Sequence, residues 1–262
     1  MRDRPSRDLY DVSGKIVVVT GGSRGIGRAI ARGFVQAGAR TYICARDAQV
    51  CDATARELSE WGECVSIPAD LGNAEGCKDF AARLAARESR VDVLVNNAGT
   101  IWTQPLAEYP ESGWTKVFDL NVKGTFFLVQ SLLGMLKASA SVESPARVVN
   151  IGSIAGFRVP DHETYAYSSS KAAVHQLSKH LAAQLASDQV TVNVIAPGRY
   201  RSEMLERAIE LEGADPLLAP IPLGRFVEDD DLVGAAIFLA SKAGSALTGV
   251  VLPVDCGYGT LG

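Results

Sequence analysis

Three side chains suited to proton transfer stand near the middle of the sequence. Tyr167 and Lys171 are four residues apart in a helical pattern, so both project from one face of a helix. A neighbouring cation favours a phenolate and lowers a tyrosine pKa from its usual value of about 10. Ser153 follows an apolar segment typical of a buried strand, and its hydroxyl can hydrogen-bond the same substrate oxygen. This spacing predicts an acid–base group for a carbonyl substrate, whereas a tyrosine and a lysine that merely share a solvated face are the alternative.

Glycines near the amino terminus are suited to binding phosphate. The apolar residues 15–20 lead into Gly21-x-x-x-Gly25-x-Gly27, and a helical pattern follows. Such a turn lets the backbone approach a pyrophosphate, and the N-terminus of the next helix supplies oriented N–H groups and the positive end of its dipole. The spacing differs from the commoner G-x-G-x-x-G. We predict a dinucleotide site here, with an ordinary strand-to-helix turn as the alternative.

The end of the second predicted strand indicates which dinucleotide is used. An NAD site has Asp or Glu there for the ribose 2′-hydroxyl, but this strand ends Cys44-Ala45-Arg46. The guanidinium groups of Arg46 and of Arg24, within the glycine turn, suit the 2′-phosphate of NADP. Asp47 would favour NAD if the turn were shifted, and two solvated arginines are the other alternative. The sequence therefore predicts NADP(H).

Strand and helix patterns alternate along the chain and would position these groups. Seven short apolar segments have the pattern of buried strands, at residues 15–20, 41–45, 64–67, 91–95, 148–151, 190–195 and 249–254. Alternation with helices predicts βαβ units, and continuous apolar runs predict a parallel sheet covered on both faces. The predicted fold class is α/β, a single-domain Rossmann fold with a doubly wound seven-stranded parallel sheet and helices on both faces.

Three segments complete this organisation. Residues 1–12 are predicted to be a flexible arm, and residues 13–262 the catalytic domain. A long helix is predicted over residues 112–136, with a kink at Gly124. Residues 199–225 contain prolines and have no clear period, so we predict an irregular segment that acts as a substrate lid.

Together the motifs resemble the short-chain dehydrogenase/reductase family over roughly residues 13–258. The residues that carry the resemblance are Thr20, Gly21, Gly25, Ile26, Gly27, Asp70, Asn96, Asn97, Ala98, Gly99, Asn121, Ser153, Tyr167, Lys171, Pro197 and Gly198. The resemblance implies that Tyr167 donates the proton, that Ser153 orients the carbonyl, and that Lys171 lowers the tyrosine pKa and holds the nicotinamide ribose. It also implies that Asn121 positions a water for a proton relay to Lys171, although Asn121 could instead serve helix geometry.

The same resemblance implies which residues bind the cofactor. They are Gly21, Ser23, Arg24, Gly25, Ile26, Gly27, Arg46, Asp70, Leu71, Asn97, Ala98, Gly99, Tyr167, Lys171, Pro197, Gly198 and Ser202. Asp70 would lie near the adenine amino group, Asn97 would shape the floor beside the cofactor, and Ser202 would offer a hydroxyl to the carboxamide. Asp70 and Asn97 could alternatively hold turns by side-chain hydrogen bonds.

Several stretches are similar to the NADPH-dependent 3-oxoacyl (β-ketoacyl) reductases of bacterial rhamnolipid synthesis, at residues 43–47, 67–71, 97–100, 146–153 and 194–199. This resemblance implies reduction of a 3-oxoacyl thioester to the 3-hydroxyacyl thioester. Fatty-acid-synthesis reductases carry basic residues for the acidic acyl-carrier protein before the fifth strand and after the tyrosine helix. This chain has Glu143 and Asp188 there, which puts an acyl-carrier-protein partner in doubt because like charges would meet.

Composition excludes other classes of function. A net charge of -4 with scattered Lys and Arg argues against nucleic acid. No apolar run approaches the length of a membrane span, and residues 1–10 lack the apolar core of a signal peptide. Five cysteines without ligand spacing and three histidines predict no metal site and a reducing, cytoplasmic location.

Two other functions remain open at this point. One is a dehydrogenase of a polyol, a sugar or a cyclic alcohol, with the same fold and another substrate. The other is a cofactor-binding regulator without turnover, which the intact Ser153, Tyr167 and Lys171 disfavour. The family resemblance further implies a homotetramer built through the helices that carry Asn121 and Tyr167 and through the last strand.

Overall fold

A seven-stranded parallel sheet forms the centre of the molecule. The computed structural model describes residues 9–160, 162–259 and 261. Within them the sheet has the order β3-β2-β1-β4-β5-β6-β7, and all neighbouring strands are parallel. The strands are β1 (Ile16–Thr20), β2 (Arg40–Cys44), β3 (Cys64–Ser66), β4 (Val93–Asn96), β5 (Ala146–Ile151), β6 (Val190–Pro197) and β7 (Val251–Val254). The predicted strands are confirmed, with ends that move by one or two residues.

Helices cover both faces of the sheet. They are α1 (Gly25–Gln36), α2 (Ala48–Leu58), α3 (Ala74–Ala85), α4 (Glu111–Phe118), α5 (Thr125–Ser139), α6 (Tyr165–Leu185), α7 (Glu203–Glu212), α8 (Ala214–Leu218) and α9 (Asp229–Ala240). Val17 and Val19 of β1 face a core built with α1, α2 and α9. Val18 faces the opposite core, built with α3, α5 and α6. All three valines have 0% exposure, which confirms the doubly wound α/β fold and explains the continuous apolar runs.

The strand order creates a crevice at one edge of the sheet. From β1 the chain winds outward to β2 and β3, then returns and winds the other way from β4 to β7. The connections after β1 and β4 therefore leave in opposite directions at the carboxyl ends of adjacent strands. Ligands of open α/β sheets bind in such a crevice.

The long predicted helix is present over α4 and α5, but a π-helical insertion that the sequence did not reveal lies within it and ends at Gly124. Helices α4 and α5 are separated by a π-helical turn over Asp119–Gly124. A Cβ at Gly124 would overlap the backbone oxygen of Leu71, so the chain passes too close to that loop for a larger residue. Thr125 donates from its hydroxyl to the Asn121 carbonyl at 2.8 Å within the widened turn. An apolar pattern with the 3.6-residue period does not reveal such an insertion.

The lid segment, residues 199–225, is not irregular. It contains α7 and α8, and the Ser202 side chain accepts a hydrogen bond from Leu205 N at 3.3 Å as the N-cap of α7. Gly213, with φ of 83°, separates the two helices in a conformation that favours glycine. Helices this short leave little periodicity to detect, which is why the sequence pattern missed them.

The amino-terminal arm lies mostly outside the described residues, because the structure begins at residue 9. Leu9 and Tyr10 are exposed, whereas Val12 is 1% exposed and packs in the core with α1. The division into an arm at 1–12 and a domain at 13–262 stays a prediction. Across the described ranges, no helix is both long and apolar enough to cross a membrane.

Candidate active site

Ser153, Tyr167 and Lys171 meet at the carboxyl ends of β5 and β6. Ser153 begins the turn after β5, and its oxygen accepts a hydrogen bond from Ala155 N at 3.1 Å. The Ser153 side chain lies beside the Tyr167 phenol and acts to lower its pKa. The Lys171 ammonium lies 5.5 Å from the centre of the Tyr167 ring and donates to the Ile151 carbonyl at 2.8 Å. The structure therefore brings together the three groups that the sequence singled out.

Burial controls the charge state of these groups. It raises the pKa of Tyr167, and the hydrogen bond from Ser153 acts in the opposite direction. Burial also lowers the pKa of Lys171 to about 8, because no carboxylate compensates the enclosed ammonium. These directions differ from the expectation that Lys171 lowers the Tyr167 pKa. In this arrangement desolvation of the phenol outweighs the effect of Ser153.

The π-helical turn directs the Asn121 side chain at two neighbouring elements. Its oxygen accepts from Thr100 N at 2.8 Å, and its amide nitrogen donates to the Thr100 carbonyl at 3.0 Å. The same nitrogen donates to the Ser170 hydroxyl at 3.0 Å, and that hydroxyl donates to the Tyr167 carbonyl at 2.7 Å. Asn121 thus links the loop after β4 to the first turn of α6. The widened turn also presents the Asn121 carbonyl to Thr125.

A chain of buried side chains, here called the amide chain, holds α6 against the sheet. Asn96 at the end of β4 donates to the Asn150 side-chain oxygen at 2.8 Å. Asn150 donates to the Ser178 hydroxyl at 2.8 Å, and Ser178 donates to the Val174 carbonyl at 2.7 Å. These hydrogen bonds run from β4 through β5 to the helix that carries Tyr167. They supply the partners that buried polar groups need.

Behind the serine turn, His175 fills a space left by two glycines. A Cβ at Gly152 or Gly156 would overlap the His175 ring, so only glycine lets the turn approach α6 this closely. Burial lowers the pKa of His175 to about 4, and the charges of Lys171 and Lys179 act in the same direction. His175 is therefore neutral at physiological pH, and its ring packs against the turn that carries Ser153.

The glycine turn between β1 and α1 is fastened to the end of β4. Asn97 donates from its side chain to the Thr20 carbonyl at 2.9 Å and to the Gly21 carbonyl at 3.2 Å. The Thr20 hydroxyl accepts from Asn97 N at 3.0 Å and from Ala98 N at 2.9 Å. A Cβ at Gly21 would lie 2.7 Å from the Asn97 amide, and one at Gly27 would overlap both that amide and the Gly21 carbonyl. The turn can hold this shape only with glycine at those two positions.

Arg24 and Arg46 lie in the segments that follow two adjacent strands, β1 and β2. Arg24 precedes α1 and Arg46 follows β2, and both side chains are exposed. Gly22 N donates to the Cys44 carbonyl at 3.2 Å, which ties the two strand ends together. Asp47 is the N-cap of α2 and accepts from Val50 N at 3.1 Å, so its carboxylate serves the helix rather than the predicted ribose site.

The other predicted cofactor residues follow the same carboxyl edge. Asp70, after β3, accepts from Gly72 N at 3.1 Å and holds its own turn, as the alternative for this residue proposed. Leu71 has its side chain in the core. Gly99 lies against the Asn121 side chain. Pro197 ends β6, and Gly198 N donates to the Val254 carbonyl at 2.9 Å.

These residues fit an anionic dinucleotide. A Cβ at Gly25, the first residue of α1, would meet nothing within 4 Å, so the N-terminus of the helix faces open space. Helix α1 has no acidic residue in its first turn, and Arg24 adjoins it. The positive end of the helix dipole, exposed guanidinium groups and the buried Lys171 ammonium all favour bound phosphate and ribose groups. Over the part of the chain that the structure describes, no group of three or more His, Cys, Asp or Glu side chains could hold a metal ion.

The lid encloses a small apolar cluster beside the serine turn. The cluster consists of Ile154, Ile221, Phe226 and Tyr258, and Leu205, Ile209, Leu217, Leu218 and Cys256 pack against it. Leu211 of α7 is 85% exposed instead. The apolar side chains of the lid thus pack largely against one another, as ordinary core residues would.

Sequence reasoning missed three groups that position the site. Ser170 bridges Asn121 and Tyr167, and Asn150 joins the sheet to α6. His175 supports the Ser153 turn. The spacing of Tyr167, Lys171 and His175 at intervals of four residues could have revealed the histidine, since all three lie on one face of α6. The two hydrogen-bonding groups depend on contacts between distant segments, which no local pattern shows.

The chain is similar to known oxidoreductases along nearly its whole length. The family model described as short chain dehydrogenase matches residues 15–212. The rhamnolipids biosynthesis 3-oxoacyl-[acyl-carrier-protein] reductase of Pseudomonas aeruginosa is 48% identical over 250 residues, 95% of this chain and 98% of the relative. The galactitol 2-dehydrogenase of Cereibacter sphaeroides is 35% identical over 96% of this chain and 98% of its own. The solved RhlG/NADP active-site complex of Pseudomonas aeruginosa superposes with a TM-score of 0.93 at 48% identity, covering 96% of this chain and 99% of that one.

Proposed function

Because this chain belongs to the short-chain dehydrogenase family, we propose that it is an NADPH-dependent reductase of 3-oxoacyl thioesters. The reaction converts the 3-ketone to a secondary alcohol. The observation that carries the proposal is the grouping of Ser153 and Tyr167 with the Lys171 ammonium, 5.5 Å from the centre of the phenol ring, at the edge of the sheet where the glycine turn lies. The 48% identity to a reductase of this class supports the choice of substrate.

The three side chains divide the proton chemistry. Ser153 donates a hydrogen bond to the substrate oxygen and orients it toward Tyr167. Tyr167 donates its proton to that oxygen as negative charge develops there, and such general acid catalysis contributes about 10²–10⁴-fold. The Lys171 ammonium stabilises the phenolate that remains and binds the ribose hydroxyls. NADPH supplies the hydride when it is bound.

Asn121 completes the path by which Tyr167 regains a proton. Its side chain is held by Thr100 and Ser170, so the residue is fixed beside the first turn of α6. We assign it the positioning of a water between Lys171 and solvent.

Cofactor binding is assigned to the crevice between the carboxyl ends of β1, β2 and β4. The glycine turn and the first turn of α1 bind the pyrophosphate, and Arg24 and Arg46 bind the 2′-phosphate. The engagement of Asp47 as an N-cap supports NADPH over NADH, since that carboxylate is the rival ligand for a 2′-hydroxyl. Asp70 and Leu71 flank the adenine, while Pro197, Gly198 and Ser202 approach the carboxamide.

The oxidation of a polyol or sugar is the second candidate function. It is favoured by the packing of Leu205, Ile209 and Leu217 into the lid cluster, because these side chains then offer less apolar surface to an acyl chain. The similarity to a galactitol dehydrogenase supports it as well.

A substrate panel separates the two functions. Purified protein is assayed by nicotinamide absorbance with 3-oxoacyl thioesters of medium chain length plus NADPH, and with polyols plus NADP. Each acyl chain is offered on acyl-carrier protein, on coenzyme A and on the small neutral carrier N-acetylcysteamine. We expect reduction of the thioesters. Efficient oxidation of polyols without thioester reduction would replace the first function by the second.

The carrier comparison also tests how the thioester is delivered. Glu143 is exposed before β5, and Asp188 forms an ion pair with Lys137 at 2.8 Å beyond α6. An acidic carrier protein docking at this edge would meet carboxylates, so we expect coenzyme A thioesters to be used at least as well as carrier-protein thioesters.

Assembly and location belong to the same proposal. We assign a cytoplasmic homotetramer that acts in lipid metabolism, built through α4, α5, α6 and β7. Trp114 on α4 is 42% exposed, and β7 is an edge strand of half-buried apolar residues, which suits coverage by another subunit. All five cysteines fall within the described residues and are free thiols, as in a reducing compartment. A monomer mass by light scattering at micromolar protein would contradict the assembly.

A further inference from the structure

A tight turn beyond β7 joins parts of the active site that are far apart in the sequence. This C-terminal turn, residues 255–259, is stabilised by the Asp255 carboxylate, which accepts from Gly257 N at 2.9 Å and Gly259 N at 2.7 Å. Its backbone is strained at Cys256, a non-glycine residue with φ of 55°. Such a strained conformation persists only where surrounding contacts hold it in place, and residues of this kind cluster at functional sites. The turn presents Tyr258, which is 6% exposed.

One contact of Tyr258 is with the turn that carries Ser153. Arg158, five residues after Ser153, donates to the Tyr258 carbonyl at 2.9 Å. The guanidinium of Arg158 also lies 4.0 Å from the centre of the Tyr258 ring, within the range of a cation–π interaction. Ile154, next to Ser153, packs in the same cluster as Tyr258. The position of the Ser153 turn therefore depends on the C-terminal turn.

The other contacts of Tyr258 are with the lid. Arg199, directly after Pro197-Gly198, donates to the Tyr258 hydroxyl at 2.8 Å and to the Leu217 carbonyl at the end of α8 at 2.8 Å. Its guanidinium lies 4.7 Å from the Tyr258 ring centre. At the far end of the lid, Leu223 N donates to the Cys256 carbonyl at 3.1 Å. Both ends of the lid are thus attached to the C-terminal turn.

We propose that Tyr258 is a positioning residue that holds the lid closed over the substrate and in register with the Ser153 turn. This rests on the proposed function, because it assigns the residue a part in binding the substrate of that reaction. A purely structural core residue would need only its ring, whereas here Tyr258 contacts two arginines from different walls of the site. Arg158 from the serine turn contacts the ring and the carbonyl, and Arg199 from the lid contacts the ring and the hydroxyl. The hydroxyl acts on the lid, the carbonyl acts on the serine turn, and the ring contacts both.

The substitution Tyr258→Phe separates these contacts. It removes the hydroxyl that binds Arg199 and keeps the ring and the carbonyl that bind Arg158. We expect KM for the acyl substrate to rise about tenfold, the effect of losing a hydrogen bond to a charged group. We expect kcat to stay within twofold and the Kd for NADPH to be unchanged, because the Ser153 turn and the glycine turn keep their contacts.

Limited proteolysis supplies a second readout that does not depend on the substrate. Arg201 and Arg207 lie in the lid with exposed side chains, so trypsin can cut there when the lid opens. Cleavage of NADPH-bound Tyr258→Phe at these sites should be several times faster than cleavage of the wild type.

Tyr42→Phe is the matched control. The Tyr42 hydroxyl donates to Glu88 at 2.7 Å, on a buried tyrosine in β2 that lies far from the lid. It removes the same atom together with one hydrogen bond to a charged group, here a carboxylate instead of a guanidinium, and it should change neither KM nor lid cleavage.

The outcomes decide the proposal. A raised KM together with faster lid cleavage in Tyr258→Phe, and neither in Tyr42→Phe, supports it. An unchanged KM, unchanged cleavage, or equal changes in the two variants would overturn it. If the wild type reduces no 3-oxoacyl thioester, the proposed function fails by itself, and KM is then measured with whichever ketone or alcohol the enzyme does convert.

Discussion

The buried ammonium of Lys171 should make the stability of the cofactor-free protein rise with pH. Burial lowers its pKa from 10.5 to about 8. Between those two values the unfolded chain binds more protons than the folded chain, so the free energy of unfolding increases with pH. The cost of enclosing the charge is fully present below pH 8 and is relieved as pH approaches 10.5.

The size of the effect follows from the same two values. The gap between a pKa of 10.5 and one of about 8 corresponds to about 3 kcal/mol of unfolding free energy at neutral pH. About 2 kcal/mol of this should return between pH 7 and pH 9.5, from the titration of the single group. The variant Lys171→Met removes the charge and also the hydrogen bond to Ile151, but loss of that bond has no steep dependence on pH.

The assay compares urea unfolding of cofactor-free wild type and Lys171→Met at pH 7 and 9.5. Protein concentration is held fixed, because assembly makes apparent stability depend on it. Taking the difference between the two proteins cancels the titration of groups that Lys171 does not influence, and His175, which it does influence, has a pKa of about 4 and is neutral across this pH range. Lys179→Met, at an exposed position of the same helix, is the control for loss of one charge. A difference between wild type and Lys171→Met that is flat with pH would refute the argument.

Three further changes test the site. Tyr167→Phe should lower kcat at least about 10²-fold while NADPH titrations stay near wild type, and more than a tenth of wild-type kcat would contradict its role as proton donor. Wild type should prefer NADPH over NADH by at least about tenfold in kcat/KM, about 1.4 kcal/mol, and Arg24→Ala with Arg46→Ala should erase most of this by weakening NADPH; equal use by the wild type would contradict it. Gly27→Ala should lower the free energy of unfolding by about 1–3 kcal/mol in urea titrations. Gly134→Ala, where a Cβ meets nothing within 4 Å, should raise it by about 0.4–1 kcal/mol, and equal effects would show that the glycine turn is not crowded.

Sequence reasoning predicted the sheet well because buried parallel strands carry their own signal. Val17, Val18 and Val19 are buried on both faces of the sheet, β4 and β6 end at asparagine and proline, and glycine directly follows β1 and β5. The acid–base group could also be predicted from a short stretch of sequence, because Tyr167 and Lys171 belong to one helix. The doubly wound parallel sheet was expected from the alternation of strand and helix patterns, and the structure confirms it.

What the sequence did not reveal depends on contacts between distant segments. The π-helical turn forms because the chain at Gly124 packs against the Leu71 carbonyl, more than fifty positions away. The direction of the Tyr167 pKa follows from burial, which a spacing of four residues does not measure. The lid helices are too short for a period to emerge, and the contacts of Tyr258 join residues about a hundred positions apart.

The amide chain makes the residue types at three positions, Asn96, Asn150 and Ser178, depend on one another. Asn96 donates to Asn150, Asn150 to Ser178, and Ser178 to a carbonyl of α6, so every bond runs in the same direction. Changing one of these residues to an apolar residue would leave a buried polar group of its neighbour without a hydrogen-bond partner. Replacement of all three by apolar residues of similar shape would leave no such unpaired group. Among diverging descendants of this protein, the three positions should therefore vary together or stay as they are.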